Sequence, residues 1–126
     1  MTILEIAVYA ALLGGAAPVS CHLDEAAVAR CSNGLDGRQL SRAVVDFSNG
    51  VTVERRDGEF PVFSNGMKSW WGGAGWLQFS NGIGVRRING STFAFSNGLV
   101  CVTELPELID CTQPKEAQGS AAPAER

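Results

Sequence analysis

The tripeptide Ser-Asn-Gly begins at Ser32, Ser48, Ser64, Ser80 and Ser96, each start 16 residues after the last. A strict period without insertion means that one short unit is repeated, so the fold must be made from a unit that pairs or stacks with its own copies. Cys31, Phe47, Phe63, Phe79 and Phe95 precede the tripeptide, and Cys111 stands sixth in that series. Leu35, Val51, Met67, Ile83 and Leu99 follow it. Asn-Gly favours the two positive φ values of a type I′ turn, the connection whose twist suits a β-hairpin. Further turn signals lie between the tripeptides at Asp57-Gly58, Gly72-Gly73-Ala74-Gly75, Asn89-Gly90 and around Pro106. Each unit then holds two strands of about six residues, an ordinary strand length. The pattern predicts an all-β fold, an antiparallel β-meander of five 16-residue hairpin repeats preceded by an apolar N-terminal helix. The alternative is a β-solenoid with one coil per repeat.

A two-residue turn at Asp57-Gly58 sets Arg56 opposite Glu59, Arg55 opposite Phe60 and Val53 opposite Val62. A turn at Asn65-Gly66 sets Ser64 opposite Met67, and Trp71 faces Trp76 across the glycine loop. The two-residue period of a strand then gathers Val51, Val53, Phe60, Val62, Met67, Trp71, Trp76, Ile83, Val85, Ala94 and Leu99 on the expected core face. Phe47, Phe63, Phe79 and Phe95 form a ladder on the other face, with Trp70 among them.

Before the repeats, Ile6 to Val19 carries no charge and is rich in small residues. The run is shorter than the roughly 20 apolar residues of a membrane-spanning helix and has the length of a signal-peptide apolar region, although no early Lys or Arg precedes it. Residues 1–20 are therefore expected to be a signal peptide or a membrane or partner anchor. Pro18-Val19-Ser20-Cys21 also resembles a lipoprotein box, with Pro18 where Leu, Val or Ile is usual, which leaves lipid at Cys21 open. A short helix or turn is expected over Leu23–Ala29. Residues 21–111 form the β-repeat domain, capped by cysteines, and residues 112–126 a disordered tail poor in large apolar residues.

Cys21 and Cys31 are ten residues apart, as are Cys101 and Cys111, and the pairs bracket the repeats. Beside an export-like segment they read as disulfides of an oxidising compartment. Cross-pairing of Cys31 with Cys111 requires a closed sheet. Zinc-type spacing is absent and the chain has one histidine, His22, so no metal is expected.

Thirteen acidic against ten basic residues give a net charge of −3, which disfavours nucleic acid as a partner. Nucleophilic catalysis needs a base near the nucleophile, and His22 lies outside the repeats. Asp46, Glu54, Asp57 and Glu59 read as solvated strand and turn charges, so neither an enzyme nor a cofactor is expected. The departure that suggests binding is Ser69-Trp70-Trp71-Gly72-Gly73-Ala74-Gly75-Trp76, which holds all three tryptophans. Arg55 and Arg87 stand 16 residues either side of Trp71. Guanidinium groups beside aromatic faces make a binding surface, so Trp70, Trp71, Trp76, Arg55 and Arg87 are the candidate site residues. Trp71 and Trp76 also fit a cross-strand core pair, which leaves Trp70 as the freer contact. These features predict a non-catalytic β-repeat protein acting in binding or assembly. It would be secreted, periplasmic or membrane-associated on the non-cytoplasmic side, as an accessory subunit with a protein partner or membrane complex. The alternative is a soluble module that binds a carbohydrate or other ligand through the tryptophan cluster.

Overall fold

The computed structural model describes residues 2–113. One helix, α1 (Ile3–Leu13), precedes twelve strands. These are β1 (Val19–Leu23), β2 (Val28–Cys31), β3 (Gly37–Gln39), β4 (Val44–Phe47), β5 (Thr52–Glu54) and β6 (Val62–Phe63), then β7 (Ser69–Gly73), β8 (Trp76–Phe79), β9 (Gly84–Asn89), β10 (Thr92–Phe95), β11 (Val100–Leu105) and β12 (Leu108–Thr112). All belong to one sheet ordered β6-β5-β4-β3-β2-β1-β12-β11-β10-β9-β8-β7. Every pairing is antiparallel, so the repeats build the meander and not the solenoid. The first and last strands pair through Val19 with Cys111 and Cys21 with Ile109. The ends of the meander therefore meet, and the sheet curls into a nearly closed barrel whose one unzipped pair is β6 with β7, neighbours in the chain.

The repeat turn differs from the type I′ expectation, because glycine alone takes positive φ: Gly50 lies at 89° and Gly98 at 96°, while the asparagines do not. In the second repeat Gly50 N donates to Phe47 O and Phe47 N donates to Val51 O, both at 2.9 Å. Ser-Asn-Gly is thus a three-residue loop, a type I turn followed by a left-handed glycine. Asn49 Oδ1 accepts from Val51 N at 3.1 Å, a local bond that suits asparagine to the middle of the turn. The serine joins neighbouring units: Ser64 N donates to Thr52 O, and Ser64 Oγ accepts from Thr52 N at 2.8 Å. The same reciprocal pair recurs at Ser32, Ser48, Ser80 and Ser96 and holds the five turns side by side at one end of the barrel.

One more loop residue flips the faces. Phe47, Phe63, Phe79 and Phe95 point inward and are buried, while Val62 and Phe60 are exposed. Glu59 N donates to Arg56 O at 2.9 Å, so Arg56 and Glu59 do face each other across the Asp57-Gly58 turn, but further along Val53 pairs with Phe63 and Glu54 with Val62, and the expected partners Val53–Val62 and Arg55–Phe60 do not form. Trp71 pairs with Leu77 rather than Trp76. Trp76 lies opposite Arg86, whose guanidinium sits 5.6 Å from its ring centroid, and Ala94 likewise pairs with Arg86. Val53, Val85 and Leu99 are buried as expected, and Val51, Met67 and Ile83 pack half-buried against them. Leu23–Ala29 contains no helix: β1 and β2 flank its turn.

The helix lies inside the barrel against one side of its wall. Ala7, Ala10 and Ala11 are fully buried, small enough to let α1 approach β1, β2, β11 and β12. Gly37 serves the same approach, since a Cβ there would lie 2.8 Å from Ile6 Cγ2 and 3.0 Å from Phe47 Cε1. Thr2 caps the helix by accepting from Glu5 N, and Glu5 Oε1 accepts from Thr2 N, a reciprocal capping box. At the other end Asn33 Nδ2 donates to Ala10 O in the last turn of α1 and Asn97 Nδ2 to Ala16 O in the segment that follows it, so two repeat asparagines tie the helix and its exit to the turns. Cys21–Cys31 and Cys101–Cys111 are disulfides, each between directly opposed residues of paired strands. They staple four adjacent strands, β2, β1, β12 and β11, around the junction of the chain's first and last strands. They indicate an oxidising, non-cytoplasmic environment. No helix among the described residues is long and apolar enough to cross a membrane. Of the tail expected from residue 112, Thr112 ends β12, Gln113 follows it, and residues 114–126 lie outside the described part.

Candidate functional site

Pro61 lies in the barrel wall at the unzipped pair. Repeat equivalence puts Pro61 opposite Ser69, where Val45 pairs with Val53, Leu77 with Val85 and Phe93 with Cys101. Proline has no N–H to give, and strands tolerate it at edges. Aromatic contacts span the unzipped pair instead. Phe63 and Phe79 meet edge to face at 5.8 Å, and Tyr9 of the helix meets Phe63 at 5.6 Å. Nearer the other end Phe60 and Trp71 lie 6.1 Å apart, with Trp71 63% exposed.

Because α1 leans on the stapled side, a cavity of about 510 Å³ remains between the helix and the opposite wall, at the end away from the Ser-Asn-Gly turns. Its aromatic lining is Tyr9, Phe60, Trp71, Phe79 and Phe93, joined by Val8, Leu77 and Val85. Its charged lining is Glu5, Arg55, Glu59 and Arg87. The volume falls in the range of about 300–1,000 Å³ typical of small-molecule sites.

The sequence singled out five residues, and three of them, Arg55, Trp71 and Arg87, line this cavity. They occupy the same place in successive repeats, so the rolled sheet brings all three to the cavity, Arg55 half-buried and Trp71 and Arg87 exposed at its opening. Trp70 pairs with Gln78 and Trp76 with Arg86 on the outer surface, and neither joins the lining. Trp70 is nearly half exposed and Trp76 half-buried. No family model, curated protein or solved structure matches this chain.

Arg55 is held from the helix. Its Nε forms a close ion pair with Glu5 Oε2. Glu5 therefore serves both the helix cap and the cavity cation. Tyr9 is 5% exposed; burial pushes its phenol well above the usual tyrosine range, Glu5 adds to the rise, and Arg55 opposes it. Arg87 lies on the opposite wall with its guanidinium 5.7 Å from the Phe93 ring centroid. Sequence reasoning missed Glu5, Tyr9 and Phe93. The interior place of Phe93, opposite Arg87, follows from the register, but the two helix residues follow only from how α1 docks.

Proposed function

We propose that this protein is a non-catalytic binding module of an oxidising compartment, secreted or periplasmic, whose cavity beside the unzipped β6–β7 pair takes a small amphipathic molecule. The observation that carries this reading is the convergence of Arg55, Trp71 and Arg87 on one apolar cavity of ligand size at the unzipped pair. A carbohydrate fits the lining less well than an aromatic ligand. Apart from the Tyr9 phenol, no hydroxyl or amide side chain lines the cavity to meet sugar hydroxyls.

Tryptophan fluorescence titration with a panel of aromatic acids, aromatic amides and glycosides tests the proposal. Quenching that is lost in Trp71→Phe and kept in Trp70→Phe and Trp76→Phe would locate the ligand in the cavity. Silence across the panel would sink the reading.

One observation favours the assembly reading as a second. Val62 and Trp70, on the two edges of the unzipped pair and outside the cavity lining, are 65% and 49% exposed. Apolar side chains beside open strand edges suit a protein partner. Trp70→Ser separates the two ideas: a docking surface predicts a lost complex with ligand affinity kept.

A further inference from the structure

The binding reading leaves the ligand's chemistry open, and the cavity's polar groups narrow it; the ligand class assigned from them rests on that reading. Glu5 and Arg55 compensate each other's charge, and Glu5 Oε1 is engaged at the helix cap. Arg87 is different. Its Nε donates to Asn89 O at 3.2 Å, its guanidinium rests over Phe93, and no carboxylate of the described residues forms an ion pair with it. One hydrogen bond and one ring contact orient the guanidinium plane and leave its terminal amino groups available to a two-oxygen acceptor. Behind it lies an apolar wall of Leu77, Val85 and Phe93, with Trp71 at the mouth. Glu59 is the other unpaired charge of the lining, and its position in the exposed β5–β6 connection puts it at the rim.

The geometry points to a planar aromatic monoanion as the ligand, its carboxylate or sulfonate on Arg87 and its ring against Trp71, Leu77 and Phe93. A charge-assisted, two-pronged contact supplies the orientation, and aromatic burial supplies the rest of the affinity. A neutral analogue keeps the burial and loses the contact. Glu59 opposes the anion from the rim, so its removal strengthens binding of the acid and leaves the neutral analogue unaffected.

Calorimetric titration of the full chain with 2-naphthoate and with 2-naphthamide tests the inference. The acid is expected to bind about tenfold or more tighter than the amide, the step that a hydrogen-bonded charge contributes. Arg87→Met should bring the acid down to the level of the amide without moving the amide. Arg87→Lys, which keeps the charge but not the fork, should fall between, and Glu59→Gln should raise affinity for the acid alone. Circular dichroism of each variant shows whether the barrel is kept, and the comparison within the unaltered protein needs no variant. Equal binding of acid and amide would overturn the aromatic-anion inference and leave the binding reading standing. An acid preference that survives in Arg87→Met would do the same. Should neither compound bind, nor any member of the fluorescence panel, the binding reading falls with it.

Discussion

Tyr9 stands where the helix, the aromatic contacts across the unzipped pair and the cavity meet, and it is the chain's one tyrosine. Desolvation disfavours its phenolate more than Arg55 favours it, so the folded protein holds the phenol proton to a higher pH than the unfolded chain does, for which about 10 applies. Above that pH the unfolded chain has shed the proton while the native state keeps it. The unfolded state then binds fewer protons, and stability falls as pH rises. This contribution is fully present below pH 10 and is lost above it at up to about 1.4 kcal/mol per pH unit. Urea unfolding between pH 8.5 and 11.5 should show that decline, and Tyr9→Phe should flatten it; equal slopes in the two proteins would mean that the phenol is solvated. Tyrosinate absorbance offers an independent check, because no second phenol contributes to it. Glu5→Gln removes Arg55's carboxylate partner and one source of the raised value, which makes the cavity more cationic and Tyr9 easier to ionise.

The repeat turns, chemically identical, do different work according to what stands beside them. All five repeat asparagines accept from the backbone two residues on, but only Asn33 and Asn97 also donate to carbonyls of the N-terminal segment, Ala10 O in α1 and Ala16 O just beyond it. Truncation to alanine should cost about 0.5–1 kcal/mol at Asn49, Asn65 and Asn81, and up to about 2 kcal/mol at Asn33 and Asn97, where a second, part-buried hydrogen bond to the N-terminal segment is lost as well. Chemical unfolding of the five single variants checks this, and a uniform cost would mean that the helix needs no support from the turns. The β6–β7 pair carries a second expectation. Pro61→Val restores the missing donor, so amides over residues 61–71 should gain hydrogen-exchange protection and ligand entry should slow; unchanged protection would assign the opening to the girth of the helix instead. Both effects show why the sequence was only partly legible. The period of 16 disclosed the repeated unit, the cysteine pairs that bracket it and the common placement of Arg55, Trp71 and Arg87, because each depends on spacing alone, whereas the meander rested on reading Asn-Gly as a chain reversal and a solenoid shares the same period. The faces depended on whether the loop held two residues or three. Asn-Gly by itself suits the shorter loop, whereas the serine bond that commits the chain to the longer one comes from a residue 12 positions away. Nothing in the repeat shows that the last pairing closes β1 on β12 or that the helix enters the barrel.

At the scale of the molecule, three features occupy opposite sides for one reason. The disulfides staple the strands where the chain's ends meet, the small-residue face of α1 lies against that side, and the space left over becomes the cavity beside the unzipped pair. The helix is thus structural core as well as cavity wall. Residues 1–20 cannot be both a removed leader and this core. Cleavage after Ser20 would take away α1 and the two β1 residues that pair with Cys111 and Asp110. Truncating one large buried side chain commonly costs about 2–5 kcal/mol, against a total stability of about 5–15 kcal/mol for a domain. Loss of Leu4, Ile6, Val8, Tyr9 and Leu12 together would exceed that total, leaving a hollow barrel held by its two disulfides. A chain starting at Cys21 should therefore bind hydrophobic dye and lose its cooperative unfolding transition, whereas the chain that keeps residues 1–20 should show neither change. Intact mass of the protein from its own cells, measured with and without reductant, decides which form exists: a mass that includes α1 and lacks four thiol hydrogens fits the filled, stapled barrel. A mass starting at Cys21 would instead assign residues 1–20 to export and leave the interior to whatever molecule takes the helix's place.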